Sequence, residues 1–165
     1  MKPLIFIYPH DDVFQDVKQE SSLLAERIND KEGNSLFESI VFDEEYLTLF
    51  RKLFSDARSY VTPALSAYIK EIPAETEFYE ARDFTKARNY ELILAMPDDF
   101  NFHLAKPADA KIRQFLIAYI LYRWLETKLP EQAASYLARA DKILSEVKNL
   151  LDNRINPIRR YHGYW

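Results

Sequence analysis

Cysteine is absent from the 165 residues, which excludes a disulfide framework, an Fe–S cluster, a thiolate zinc site and a cysteine nucleophile together. Glycine is nearly absent as well. Gly33 and Gly163 are the only two, and neither lies in a cluster that could wrap backbone amides around a phosphate, so P-loop and dinucleotide fingerprints are excluded. There is no basic excess: 22 Lys and Arg stand against 26 Asp and Glu, a net charge of -4, which argues against a broad basic face gripping nucleic acid. Long apolar runs are missing too. Leu4 to Tyr8 is shorter than the roughly 7–15 residues of a secretory apolar core, so a short strand or anchoring arm is expected there. Ile112 to Leu125 is interrupted by Arg113, Gln114 and Arg123 and falls short of the roughly 20 residues that cross a bilayer, which makes it a core helix.

What the chain does have is 48% apolar and 15% aromatic residues, enough for a sizeable core in a single domain and unlike the composition of disordered chains. After an N-terminal arm over 1–10, helices are expected over 11–72. Asp11 or Asp12 can cap the first, which carries Val13, Val17, Leu24 and Ile28 near helical spacing and ends by Asn29. A polar loop with Gly33 follows. Asp43 is a good N-cap for the next helix, with Glu44 and Glu45 complementing its dipole. From there Tyr46, Phe50, Leu53, Ala57, Tyr60 or Val61, Ala64, Tyr68 and Ile72 recur every three or four residues, an amphipathic helix of about seven turns. Pro63 falls inside it, where a kink or a break into two helices is expected.

Between 73 and 106 the period changes to two. Tyr90, Leu92, Leu94 and Met96 alternate with their neighbours, and so do Phe100, Phe102 and Leu104 beyond Pro97-Asp98-Asp99. Alternation on both sides of a turn predicts a β-hairpin, which must pack on the helices or add to a neighbour's strands, because an isolated hairpin is marginal in water. A helical hairpin is expected over 107–153. Pro107 opens its first helix, with Ile112, Phe115, Leu116, Tyr119, Ile120, Tyr122 and Trp124 on nearly all sides; Leu129-Pro130 stops it and starts the second. That one places Leu137, Ala140, Leu144, Val147 and Leu151 on one face, with Lys142 and Glu146 as an outer i,i+4 pair. The predicted class is mainly α: a bundle of about four to five helices with a small β-hairpin insertion and extended N- and C-terminal arms.

The polar clusters read as structure more readily than as chemistry. His10-Asp11-Asp12 fits a helix start better than a metal site, because consecutive residues there point different ways. His103 and His162 have no obvious nucleophile to serve. The acidic pairs Glu44/Glu45 and Asp98/Asp99 fit a cap and a turn better than a general acid and base. Arg113 and Arg123, on an apolar helix, each need a carboxylate partner or a route to the surface. The aromatic run from Tyr46 to Trp124 fits core packing better than a ligand cavity. No catalytic residue, metal or cofactor is expected. A carboxylate-bridged di-iron centre would need Glu-x-x-His motifs, and no histidine has a Glu three residues before it.

The tail over 154–165 stands out. Arg154, Arg159 and Arg160 lead into Tyr161, His162, Tyr164 and Trp165, and Trp, Tyr and Arg dominate binding hot spots. It is expected to dock on a partner or a neighbouring copy, or else on its own domain.

The order of parts resembles a known family. A helix with Phe50, Ala57 and Tyr60, a variable insertion, the run Ile112-Arg113-Gln114-Phe115-Leu116-Ile117-Ala118-Tyr119 continuing into Arg123-Trp124-Leu125-Glu126, and a closing helix are similar to the head–tail connector (neck adaptor) proteins of tailed bacteriophages and prophages, in particular those of gut Bacteroidetes. The similarity spans about residues 43–160 and is a pattern of helices rather than a signature motif. It implies a non-enzymatic virion protein, assembled in the bacterial cytoplasm, whose copies form a twelve-fold ring beneath the portal, touching portal and other neck or tail proteins with double-stranded DNA in the lumen. It assigns subunit and partner contacts to Arg159, Arg160, Tyr161 and Trp165, and to Pro97, Asp98, Asp99 and Phe100 in the inserted hairpin; Arg154 and Tyr164 join the expected interface on the basic, aromatic composition of the tail. A net acidic charge suits a lumen through which DNA slides without adhering. The alternative is a small helical adaptor that binds a partner peptide or helix in an aromatic groove.

Overall fold

A computed structural model of the chain describes residues 1–28, 33–69 and 89–155. The fold is mainly helical, with one small two-stranded antiparallel sheet. In chain order it runs β1 (Lys2–Tyr8), α1 (His10–Ala25), α2 (Phe37–Ile40), α3 (Leu47–Ala64), β2 (Tyr90–Met96), α4 (Ala105–Leu125) and α5 (Pro130–Leu151), with 3-10 turns at Glu44–Tyr46, Ser66–Tyr68 and Phe102–Leu104.

α4 is the central element. Ile112, Phe115, Leu116, Ile120, Leu121 and Leu125 are fully buried, because α5, α3 and α1 cover different sides of the helix. This is why its sequence is apolar on most sides, with Lys106, Ala110 and Gln114 left toward solvent. α5 returns antiparallel after Lys128 N–H and Leu129 N–H bond to Leu125 O at 3.0 and 2.8 Å, and Pro130 opens it at the position where a missing N–H costs nothing. Its Ala133, Ala140, Ile143, Val147 and Leu151 are buried. A second, aromatic layer joins α1, α3 and α4: Phe14, Phe42 and Phe50 pack edge to face with centroids 5.1–6.3 Å apart, and Phe42 lies 4.5 Å from Trp124. The Trp124 indole donates to Ile40 O at 2.7 Å, tying α2 to α4. The aromatic run is therefore largely core, with Tyr60, Tyr119 and Tyr122 on its exposed flank.

Several local expectations need correcting. β2 forms as expected, but its partner is β1 rather than Phe100–Leu104. The register places Leu4 opposite Leu94, Phe6 opposite Leu92 and Tyr8 opposite Tyr90, matching the inward sets of both strands. After the turn at Asp98 and Asp99, closed by Phe100 N–H to Pro97 O at 3.0 Å, Phe100 plunges into the core and Asn101 Oδ1 accepts from His103 N–H, winding Phe102–Leu104 into a 3-10 turn. The local side-chain bond wins over a second strand, as Asn favours. α1 begins at His10, so Asp11 and Asp12 occupy its first turn instead of capping it. Asp43 does cap, accepting from Glu44 N–H at 2.7 Å, but what it starts is a 3-10 turn ahead of α3. α3 runs through Pro63 and stops one residue later, at Ala64, before the 3-10 turn at Ser66–Tyr68, so it is shorter than the seven turns expected. α4 starts at Ala105, two residues before Pro107. Ile72 and the rest of 70–88 lie outside the described residues.

Candidate interaction surface

Elements distant in sequence meet at one corner of the molecule. The turn between β2 and α4 presents Asp98 to the Met1 amino group at 3.1 Å, beside the first residue of β1. Asp99 faces Arg154, with Oδ1 3.6 Å from the guanidinium Nε, and its carbonyl accepts from Ile155 N–H at 2.8 Å. Phe100 and Arg154 form an antiparallel bridge, and Asn101 N–H donates to Asn153 O at 3.4 Å. Arg154 also donates to Leu151 O at 2.7 Å, a cation on the last turn of α5 where the helix dipole favours it.

Of the residues assigned to contacts from sequence, Pro97, Asp98, Asp99 and Arg154 are thus brought together. Phe100 is fully buried, so its ring belongs to the core and presents no surface. Arg159, Arg160, Tyr161, Tyr164 and Trp165 lie outside the described residues.

Next to this corner is the outer face of the sheet, formed in part by the N-terminal segment expected to be a short strand or anchoring arm. Pro3, Ile5 and Ile7 of β1 stand opposite Ala95, Ile93 and Glu91 of β2 on the face turned away from the helices. Ile5 is 56% exposed, Ile7 53% and Ile93 37%. The signal was the uninterrupted apolar run from Leu4 to Tyr8: a strand alternates faces, so an all-apolar strand backed by helices on one side offers apolar groups on the other.

The helical side is closed by ion pairs. Arg113 Nε meets Asp16 at 2.6 Å, and Arg123 lies 3.6 Å from Asp56 and 3.4 Å from Glu126, so both arginines of α4 have the carboxylates they need. Glu146 pairs with Lys111 of α4 at 2.6 Å, which holds its carboxyl below the usual range; Lys142, its expected i,i+4 partner, adds a weaker pull in the same direction. Arg139 reaches Glu20 at 2.8 Å across an open groove of about 530 Å³ between α1 and α5, floored by Leu24 and Ile117 and flanked by Leu23 and Tyr136. Burial, then Glu20, pushes the Tyr136 phenol up to about 12.

His10 is 4% exposed, packed edge-on against Phe50 at 4.9 Å, with Nδ1 3.1 Å from Asp11 and no hydrogen-bond partner for Nε2. Asp12 is exposed at the surface of the same turn. Among the described residues no three His, Asp or Glu side chains gather to hold a metal ion, and no helix is long and apolar enough to cross a membrane. Comparison with protein-family models, with curated protein sequences and with solved structures gives no match to this chain.

Proposed function

We propose that this chain is a structural assembly subunit of a phage neck, a head–tail connector that joins portal to tail around the DNA channel and performs no catalysis. The observation that carries the reading is the convergence at one corner of the start of β1, the Pro97–Phe100 turn and Arg154, from which the chain runs on into Arg159, Arg160, Tyr161 and Trp165. Subunits of a ring meet head to tail, so each needs two unlike adhesive faces. The apolar outer face of the sheet is one, and the corner with its basic, aromatic continuation is the other. The order of helices that resembles the connectors supports the same reading, including a ring of twelve copies, and the net charge of -4 suits a lumen that leaves DNA free to slide. The virion neck is then its destination, and portal, tail proteins and other copies of itself are its partners.

The test is electron microscopy of the purified protein mixed with the portal encoded nearby in its genome. Rings stacked on portal are expected. Portal that stays bare at every mixing ratio contradicts the reading.

One observation favours a second reading, an adaptor that takes a partner helix: the open groove between α1 and α5 has an apolar floor and charged rims. An adaptor of this kind would bind a helical peptide there and ignore portal.

A further inference from the structure

β1 is an edge strand whose protective residues, Lys2 and Pro3, stand only at its first two positions. It pairs with β2 over all seven residues in an unbroken register, so no bulge twists it away. Its other edge carries no bridge among the described residues. Natural edges are blunted by charges, prolines or bulges, yet from Leu4 to Tyr8 there is none of these. Pro3 removes at most one donor, near one end.

Charge decides what fits this edge. Lys2 is exposed at the beginning of the strand, and Asp11 and Asp12 are exposed just past its end, Asp11 at 91%. A second copy laid antiparallel about Ile5 sets Lys2 beside Tyr8 of the other chain, close to that chain's Asp11 and Asp12, and does so twice. A parallel arrangement would set like charges together. The antiparallel register also places Ile5 opposite Ile5 and Ile7 opposite Pro3, merging the two exposed faces around Ile93 into one aliphatic surface.

We infer that β1 is the edge through which two copies of this chain pair, antiparallel and two-fold about Ile5, to form one four-stranded sheet. This contact is isologous, runs along the backbone edge of β1 and needs no portal, so the mass of the wild type without portal tests it apart from the neck reading, even though Ile5 also lies on the outer sheet face that the neck reading uses.

The test measures association of the purified full chain by light scattering and sedimentation. The wild type should reach twice the 19.5 kDa chain mass at micromolar concentration. Ile5→Lys and Ile5→Glu each set like charges face to face on the two-fold axis. Each should keep the single-chain melting behaviour, since Ile5 points away from the core, and lose association by about tenfold or more. Mixed in equal amounts, the two variants should recover a heterodimer. Lys2→Glu should weaken pairing less, and most at low salt. A wild type that stays at the single-chain mass, association that Ile5→Lys leaves intact, or a variant mixture that stays apart would each overturn the proposal.

Discussion

Asp16 of α1 and Arg113 of α4 lie 97 residues apart in the chain and meet at 2.6 Å, the guanidinium Nε donating to the carboxylate. The cation that looked out of place on an apolar helix sits at its margin, 40% exposed, where it staples the first long helix to the central one. Exposure limits what the pair contributes. Arg113→Ala or Asp16→Asn should cost about 0.2–1 kcal/mol in urea unfolding, and the cost should shrink as salt is added.

Trp124 matters more. Its indole N–H bonds to Ile40 O at 2.7 Å in a buried setting, and its ring packs against Phe42 and Tyr46. Trp124→Phe leaves a buried carbonyl unpaired and should destabilise by about 1–3 kcal/mol, whereas Trp124→Ala should cost about 3–5 kcal/mol. Chemical denaturation of both variants against wild type separates the hydrogen bond from the packing.

The turn between β2 and α4 divides into an inside and an outside. Phe100→Ala should cost about 3–5 kcal/mol because the ring is fully buried. Asp98→Ala, at an exposed ion pair, should stay within about 1 kcal/mol. Equal losses at both positions would show that the turn is not seated as described.

Stability should fall at both ends of the pH scale. Lys111, hydrogen-bonded to Glu146, holds that carboxyl below its ordinary value of 4.5. Its contribution is therefore present above the unfolded pKa and is lost as pH falls through the depressed folded one. Tyr136 behaves oppositely. Burial, then Glu20, raises its phenol to about 12, so the folded state loses ground as pH rises from 10, where the unfolded phenol ionises, toward 12. Glu146→Gln should flatten the acid limb of melting temperature against pH, and Tyr136→Phe the alkaline limb.

Helices were legible in the sequence wherever period and boundary chemistry agreed. Pro130 marks the start of α5 to the residue, although α4 stops earlier than expected, at Leu125, and the apolarity of Ile112 to Leu125 announces a central helix. The strands were legible as strands but not as partners. Alternation says which side chains face inward, while pairing depends on which complementary strand the tertiary fold brings alongside, and Ile5 of β1 lies 88 positions before its register partner Ile93 of β2. α2 escaped notice because four residues hold no period; Trp124 and Lys128, which bond to Ile40 O and Ser39 O, fix it from outside. At the corner, Asp98 pairs with the Met1 amino group and Asp99 with Arg154 inside the chain, a set of contacts that residue spacing alone does not reveal. Phe100, expected at a contact, is in the core, since a period-two pattern cannot separate a ring facing a partner from one facing its own core.

The most direct measurement of the assembly account is the mass of the purified chain by light scattering across concentration, alone and with portal. Growth to a ring-sized species when portal is added is the predicted result. A mass that portal leaves unchanged at every concentration would contradict the account and favour the peptide-binding adaptor.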